Sequence, residues 1–219
     1  MERNIDMKEV SDGKLYTSND LVKADCGGCT GCSACCRGMG TSITLDPLDI
    51  FRLCGGLHMD FTGLMVDKIE LNIVDSLILP NLKMTDQSET CAFLNEEGRC
   101  SIHAFRPGIC RLFPLGRFYE NGSFRYFLQV HECPKENKSK VKVKKWLDTP
   151  ELRKYEQFVS DWHYYLKELQ KQVEADAEQI KPVSMELLNQ FYVLPYDMEA
   201  DFYGQFYTRL KEVRVSQTI

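Results

Sequence analysis

The stretch DCGGCTGCSACCR, residues 25–37, places five cysteines within eleven residues. Three glycines separate the thiols, and almost no side chain in the stretch can contribute to a hydrophobic core. Cysteines this closely spaced in one loop serve in disulfides, redox chemistry or metal binding. The reducing or oxidising nature of its compartment decides among these uses.

The N-terminal sequence MERNIDMKEVSDGKLY carries charges of both signs and no apolar run, so it lacks the pattern of a signal peptide. The longest apolar runs elsewhere are too short to span a bilayer. We therefore expect a cytoplasmic protein without membrane contact. Cytoplasmic thiols stay reduced, so the ten cysteines indicate a metal or redox site rather than a disulfide framework.

The first cluster follows the spacing C-x2-C-x2-C-x3-C, with which bacterial ferredoxins bind [4Fe–4S] clusters. The glycines between the thiols permit a tight wrap of the chain around one centre. The register is ambiguous because Cys35 and Cys36 are adjacent and their side chains diverge. The candidate ligands of this cluster are Cys26, Cys29, Cys32, Cys35 and Cys36.

A second, dispersed group of thiols comprises Cys91, Cys100, Cys110 and Cys133. The sequence NEEG predicts a turn that brings Cys91 near Cys100, and Pro107–Gly108 bends the chain before Cys110. Together the two groups suffice for two closed metal sites or for one larger shared site. Cys54 is excluded, because it follows apolar residues on a short predicted helix and is expected to pack in the core.

Arginines and histidines accompany the thiols. Arg37, Arg106 and Arg111 would stabilise a negatively charged cluster, although pairing with Asp or Glu is an equal alternative. His103 and His131 lie within three residues of a cysteine, where each is either a ligand or a group that supports the ligands from outside.

Hydrophobic content is 43%, which is enough for a core. We expect an α+β protein: a small cysteine-rich, metal-centred domain with short strands and helices, followed by a helical C-terminal region. Residues 1–25 form an N-terminal segment, 26–134 the metal-binding domain, 135–147 a lysine-rich linker and 148–219 the helical region.

Local patterns predict the elements of these regions. TSITL is expected to form a strand, residues 46–56 a capped helix, residues 69–80 one or two strands, and Asn121–Gly122 a hairpin turn. Three helices are predicted beyond the linker. They begin near Asp148 or Thr149, at Ser184 and at Glu199.

The net charge of −5 argues against general nucleic-acid binding. Residues 135–145 contain six lysines, but no aromatic residues alternate with them, so an exposed linker or strand edge is the expected structure.

Two boxes resemble a known family: CTGCSACCR followed by ITLDPLDIFRL, and CAFLNEEGRCSIHAFRPGICRLFP. They look like the CxxCxxCC (YkgJ-type) cysteine-cluster family of zinc- or iron-chelating proteins, over roughly residues 26–133. The resemblance implies a metal centre. Flagellin lysine methylases resemble this family and pair a cluster with S-adenosylmethionine. The positions matching the family pattern are Cys29, Cys32, Cys35, Cys36, Cys91, Gly98, Cys100, Arg106, Pro107, Cys110, Arg111 and Pro114, while Cys26 is an addition to the first box.

Three functions are consistent with these patterns. The first is an iron–sulfur protein, with one or two clusters of the [4Fe–4S] type, that transfers electrons or supports a redox or methyl-transfer reaction with an unidentified protein or redox partner. The second is a zinc-binding structural or interaction module without catalytic activity. The third is metal storage or delivery. The contiguous CxxCxxC spacing favours the cluster, because zinc sites normally use two separated pairs of ligands.

Overall fold

The computed structural model describes residues 6–27, 32–85 and 89–216. Antiparallel strand pairs and helices coexist in it, and the C-terminal region is helical, which confirms the α+β prediction. The helices are α1 (Met7–Val10), α2 (Pro47–Leu57), α3 (Phe61–Asp67), α4 (Gly108–Leu112), α5 (Val143–Leu147), α6 (Leu152–Ala175), α7 (Ile180–Leu188) and α8 (Phe202–Ser216). The strands are β1 (Leu21–Asp25), β2 (Ile69–Val74), β3 (Leu77–Leu82), β4 (Met84–Thr85), β5 (Thr90–Cys91), β6 (Leu115–Glu120), β7 (Ser123–Leu128) and β8 (Ser139–Lys142).

Helix α2 begins where the sequence predicts. Asp46 Oδ1 accepts a hydrogen bond from the Asp49 amide (2.9 Å), and the Asp46 amide donates to Asp49 Oδ2 (3.1 Å), which together form a capping box. Pro47 occupies the first turn, where no amide hydrogen is needed. The helix passes the two glycines that were expected to end it and stops at Leu57, before His58 at φ 54°.

Two hairpins flank the cysteine loops. β2 pairs with β3, so the segment that allowed one or two strands forms two. β6 pairs with β7 across Asn121 (φ 52°) and Gly122 (φ 75°), the left-handed pair that a two-residue turn requires. The predicted TSITL strand is reduced to a single bridge from Thr44 to Asn81, because this segment meets the end of an already paired strand.

The lysine-rich segment differs from the expected linker. Within 135–147, β8 pairs antiparallel with β1, and α5 follows at once. Val143 and Leu147 are buried in a small core with Val22 and Ala24. The alternation of valine and lysine explains this outcome, because it buries one face of the ribbon and exposes the other.

The C-terminal helices form as predicted, with shifted starts. α6 begins at Leu152, because Asp148 ends α5 in a left-handed conformation (φ 45°) instead of capping α6. α7 begins at Ile180, four residues before the predicted start at Ser184. A π-helical turn continues it to Val193, before Pro195, which agrees with the predicted end.

One large hydrophobic core joins the cysteine-bearing region to these helices. The Ile78 amide of β3 donates to Ser184 Oγ of α7 (3.0 Å), and the Tyr192 hydroxyl donates to the Leu45 carbonyl (3.0 Å). Across the described ranges, no helix combines the length and apolar character needed to cross a membrane.

Candidate metal centre

A cavity of about 1040 Å³ lies between the cysteine loops and the inner face of α6. Its lining includes Val159, Trp162 and Leu166 of α6. It also includes six thiols, from both boxes of the sequence: Cys32, Cys35, Cys36, Cys91, Cys100 and Cys110.

Backbone pairing brings the two boxes together. Arg37, next to Cys36, forms a bridge with Thr90, which precedes Cys91. The Arg37 guanidinium donates to Thr90 Oγ1 (3.1 Å), and the Gly38 amide donates to the Glu89 carbonyl (2.8 Å). The first cysteine loop is thereby fixed beside β5, although more than fifty residues separate the two in sequence.

A tight turn folds the second box back on itself, as the sequence NEEG predicts. The Asn95 amide donates to the Arg99 carbonyl (2.9 Å), and the Gly98 amide donates to the Asn95 carbonyl (2.9 Å), with Gly98 at φ 70°. A bridge between Leu94 and Cys100 extends this pairing. The turn therefore returns Cys100 to the neighbourhood of Cys91.

Helix α4 carries the last of these thiols, Cys110. Asp49 of α2, which is 2% exposed, anchors the start of α4 by accepting a hydrogen bond from the Gly108 amide (2.7 Å). A Cβ atom at Gly108 would lie 2.2 Å from the Tyr155 hydroxyl, so only glycine permits this close approach.

Five of the thiols interact electrostatically. A hydrogen bond with Cys36 and burial raise the pKa of Cys35. Burial raises the pKa of Cys91, Cys100 and Cys110, and in each case the charge of Cys35 raises it further. These thiols therefore stay protonated and neutral at neutral pH. They lose their protons when a positive centre stabilises the thiolates that form.

The described residues contain no group of three or more His, Cys, Asp or Glu side chains already arranged around one metal ion. Cys29, a predicted ligand, lies outside the described residues. Cys26 and Cys133 are half-buried and do not line the cavity. Cys54 packs against the main core, in the position expected of it.

The three candidate arginines have different surroundings. Arg106 lines the cavity, its charge lowers the pKa of both Cys35 and Cys100, and its buried Nε atom has no hydrogen-bond partner. Arg111 is 7% exposed and donates to the carbonyl oxygens of Ala104, Arg106 and Asp148. Arg37 is exposed and bonds to Thr90 and Ser33.

The two candidate histidines also differ in their surroundings. His103 lines the cavity, and its Nε2 atom is paired with the Arg106 guanidinium. Burial, followed by the charge of Arg106, lowers the pKa of His103. His131 is exposed and does not line the cavity. A supporting role for His103 stays a prediction, and the pairing with Arg106 is the contact through which it would act.

A pair of enclosed carboxylates lies beside the thiols, and the sequence pattern identified only its capping role. Burial, followed by the charge of Asp49, raises the pKa of Asp46 to about 8. Arg52 and Arg117 provide the compensating charges, and Arg117 Nη2 donates to the Tyr155 hydroxyl (2.7 Å). The signal available in the sequence was the spacing D-x-x-D within an apolar run.

Comparison with known proteins gives one match. The model of the CxxCxxCC family, described as "Putative zinc- or iron-chelating domain", matches residues 28–134. Neither the curated proteins nor the solved structures contain a match to this chain. The matched range contains every thiol of the cavity and excludes Cys26. The match covers just under half of the chain and is to the family that the sequence resembles, and its description supports metal binding.

Proposed function

We propose that this chain binds an iron–sulfur cluster through thiols of both boxes and acts as a redox protein. Its role is either electron transfer or an accessory or catalytic role in a redox or methyl-transfer reaction. The observation that carries the proposal is the position of Cys35. It belongs to the first box, yet it lines the same cavity as Cys91, Cys100 and Cys110 of the second.

The donor set fits a metal centre. Burial disfavours the charged form of the Cys110 thiol, and thiolates at Cys35, Cys91 and Cys100 would disfavour it further by repulsion. A cationic centre removes both penalties when the thiols lose their protons. Arg106 adds a positive charge, and its unpartnered Nε–H is available to a sulfur atom of the centre. Donors of this kind stabilise clusters and raise their reduction potential.

The spacing of the first box favours a cluster over a single zinc ion. Contiguous CxxCxxC is the spacing with which ferredoxins bind [4Fe–4S] clusters, whereas zinc sites normally use two separated pairs of ligands.

Apolar side chains complete the site. Met39, Leu94 and Ile102 line the cavity beside the thiols, and Ile102 is 1% exposed. Such walls limit access of water, and solvent exposure is one of the determinants of a cluster's reduction potential. A bound cluster would supply one-electron transfer, while these residues would shield it.

Reversible reduction tests the redox role. The anaerobically purified chain is expected to show a broad absorption band near about 400 nm that bleaches with dithionite and returns on reoxidation. The Cys35→Ser variant should lose this band, while Cys54→Ala should retain it. A band that does not respond to the reductant would contradict electron transfer.

Zinc is the alternative, because CxxC pairs are common zinc ligands and the matched family includes zinc chelation in its description. In that case the chain would be a structural or interaction module. A colourless protein with stoichiometric zinc, unchanged by anaerobic reconstitution with iron and sulfide, would support this alternative.

A further inference from the structure

A positively charged surface lies on the β1–β8 ribbon and the start of α5. Along β1 the exposed and buried residues alternate, so Leu21 and Lys23 face solvent while Val22 and Ala24 face the core. We define the lysine face as the exposed side chains Lys23, Lys140, Lys142, Lys144 and Lys145.

Register places these side chains together. Lys142 pairs with Leu21, and Val141 pairs with Val22, so the outward residues of both strands share one face. β8 spans about 13 Å at about 3.3 Å per residue. The lysine face is therefore compact, and Leu21, 54% exposed, lies within it.

The lysines make no close ion pairs. In the part of the chain that the structure describes, none of the five is paired with a carboxylate. Lys144 Nζ donates instead to the uncharged Asn19 Oδ1 (3.0 Å). The acidic residues of the ribbon, Asp20 and Asp25, accept hydrogen bonds from Thr17, Gly27 and Ser139 and not from these lysines.

Protection of a strand edge does not account for the whole surface. A lysine on an edge strand discourages unwanted pairing, and β8 is such a strand, since it pairs with β1 alone among the described strands. Lys144 and Lys145, however, lie on α5, which has no strand edge to protect. Like charges at this density also repel each other, so a ligand that relieves the repulsion gains affinity.

We propose that the lysine face is a docking surface for an acidic segment of a partner protein. The chain as a whole carries a net charge of −5, so an acidic partner is repelled except at this face, which fixes the orientation of docking. A nucleic acid would extend beyond the lysine face and meet the acidic remainder of the surface. Trp146, the aromatic residue next to the lysines, is half-buried and donates to the Phe113 carbonyl instead of offering a stacking surface.

The lysine face adjoins Cys26 and Cys133, two thiols that do not line the cavity. Cys26 directly follows β1, and the ammonium group of Lys138, at the base of β8, donates to the Cys133 carbonyl (2.9 Å). A docked partner would lie against both segments. The docking proposal does not depend on which metal the protein binds.

The test uses the full chain and a fluorescent peptide of alternating glutamate and threonine at about 0.15 M ionic strength. The matched probes are a lysine–threonine peptide, a single-stranded RNA and phosphatidylserine vesicles. Lys140→Glu/Lys142→Glu changes the lysine face. Lys171→Glu/Lys181→Glu makes the same change of net charge at exposed positions on α6 and α7.

The wild-type chain and the α6–α7 control should bind the glutamate peptide alike. The lysine-face variant should bind it about tenfold more weakly, with unchanged thermal unfolding and metal content. The proposal would be overturned if both variants bound the glutamate peptide equally weakly, or if the wild-type chain did not prefer the glutamate peptide to the lysine peptide. It would also be overturned if the lysine face bound only RNA or only vesicles. Because metal content is measured separately, failure of docking is distinguishable from failure of the redox function.

Discussion

At the scale of single residues, the described cysteines divide by their surroundings. Cys35, Cys36, Cys91, Cys100 and Cys110 interact electrostatically at the cavity, and Cys32 also lines it. Cys26 and Cys133 do not line it, and Cys54 packs against the core. Spacing in the sequence identified the thiols as a metal-binding set but could not assign them to one site, because the contact between the boxes depends on pairing of residues 37–38 with residues 89–90.

Removal of one cavity thiol is expected to abolish metal binding. Cys100→Ser should lose most of the bound metal and unfold at a lower temperature, because metal binding is coupled to folding. Cys54→Ala should keep its metal and lose only about 1 kcal/mol of packing. Metal analysis and thermal denaturation of both variants check this. Full metal content in Cys100→Ser would refute the assignment.

Arg106 and Arg111 both belong to the family pattern but should respond differently. Arg106→Gln should lower the reduction potential of the centre with little change in stability, because it removes a charge beside the thiols. Arg111→Gln should lower the free energy of unfolding by about 2–3 kcal/mol, because the buried Arg111 side chain donates to three backbone carbonyl groups that would lose these hydrogen bonds.

Redox titration and chemical denaturation distinguish the two variants. Arg153→Gln serves as the control, because its exposed side chain on α6 does not line the cavity and its loss should change neither quantity much. A lower potential with unaltered stability in Arg111→Gln would show that both arginines act on the centre.

Asp46 is expected to make stability depend on pH. Its pKa is raised to about 8 in the folded chain, from 3.8 for an ordinary aspartate, by burial and by Asp49. The folded state therefore binds more protons than the unfolded state between these values, so stability falls as pH rises through this window. Asp46→Asn should flatten the pH dependence of stability, because it removes the titrating carboxyl group. The side-chain oxygen of Asn can still cap α2, so the variant should keep the helix start.

Asp60→Asn is the matched control for this prediction. Asp60 also caps a helix, by accepting from the Gly63 amide (2.7 Å), but it is exposed. Its variant should keep the wild-type slope when unfolding is measured by denaturant at several pH values. A wild-type slope in Asp46→Asn would contradict the assignment of the titration to Asp46.

At the scale of elements, the sequence predicted the helices and turns whose ends are marked by residues close to them in the chain. The capping box of α2 and the Asn121–Gly122 turn are such signals, and both are confirmed. The β1–β8 ribbon was not predicted, because its strands lie more than a hundred residues apart and no local pattern encodes their pairing. The predicted start of α6 was wrong because Asp148 can either end one helix or cap the next. In the structure it ends α5.

The contact between α7 and β3 offers a prediction at this scale. Ser184→Ala should destabilise the chain by about 1–3 kcal/mol, because the Ile78 amide loses its acceptor at a fully buried position. Ser139→Ala is the control, since its hydroxyl makes a longer surface bond to Asp25 (3.3 Å). Denaturant unfolding measures both, and equal losses would refute the structural role of Ser184.

At the scale of the whole molecule, the cysteine region and the C-terminal helices share one core. Helical periodicity in the sequence predicted the C-terminal helices but not what they cover, since periodicity identifies a buried face without identifying the element that packs on it. The division of the chain into a metal-binding domain and a separate helical region stays a prediction. The cavity itself arises from the packing of both regions, so it could not have been predicted from either.

Iron, acid-labile sulfide and zinc should be measured together on the anaerobically purified full chain. The account predicts iron matched by sulfide in equal amounts, with little zinc, and loss of both in Cys35→Ser but not in Cys54→Ala. Stoichiometric zinc without sulfide, or iron and sulfide retained in Cys35→Ser, would contradict a cluster held jointly by the two boxes.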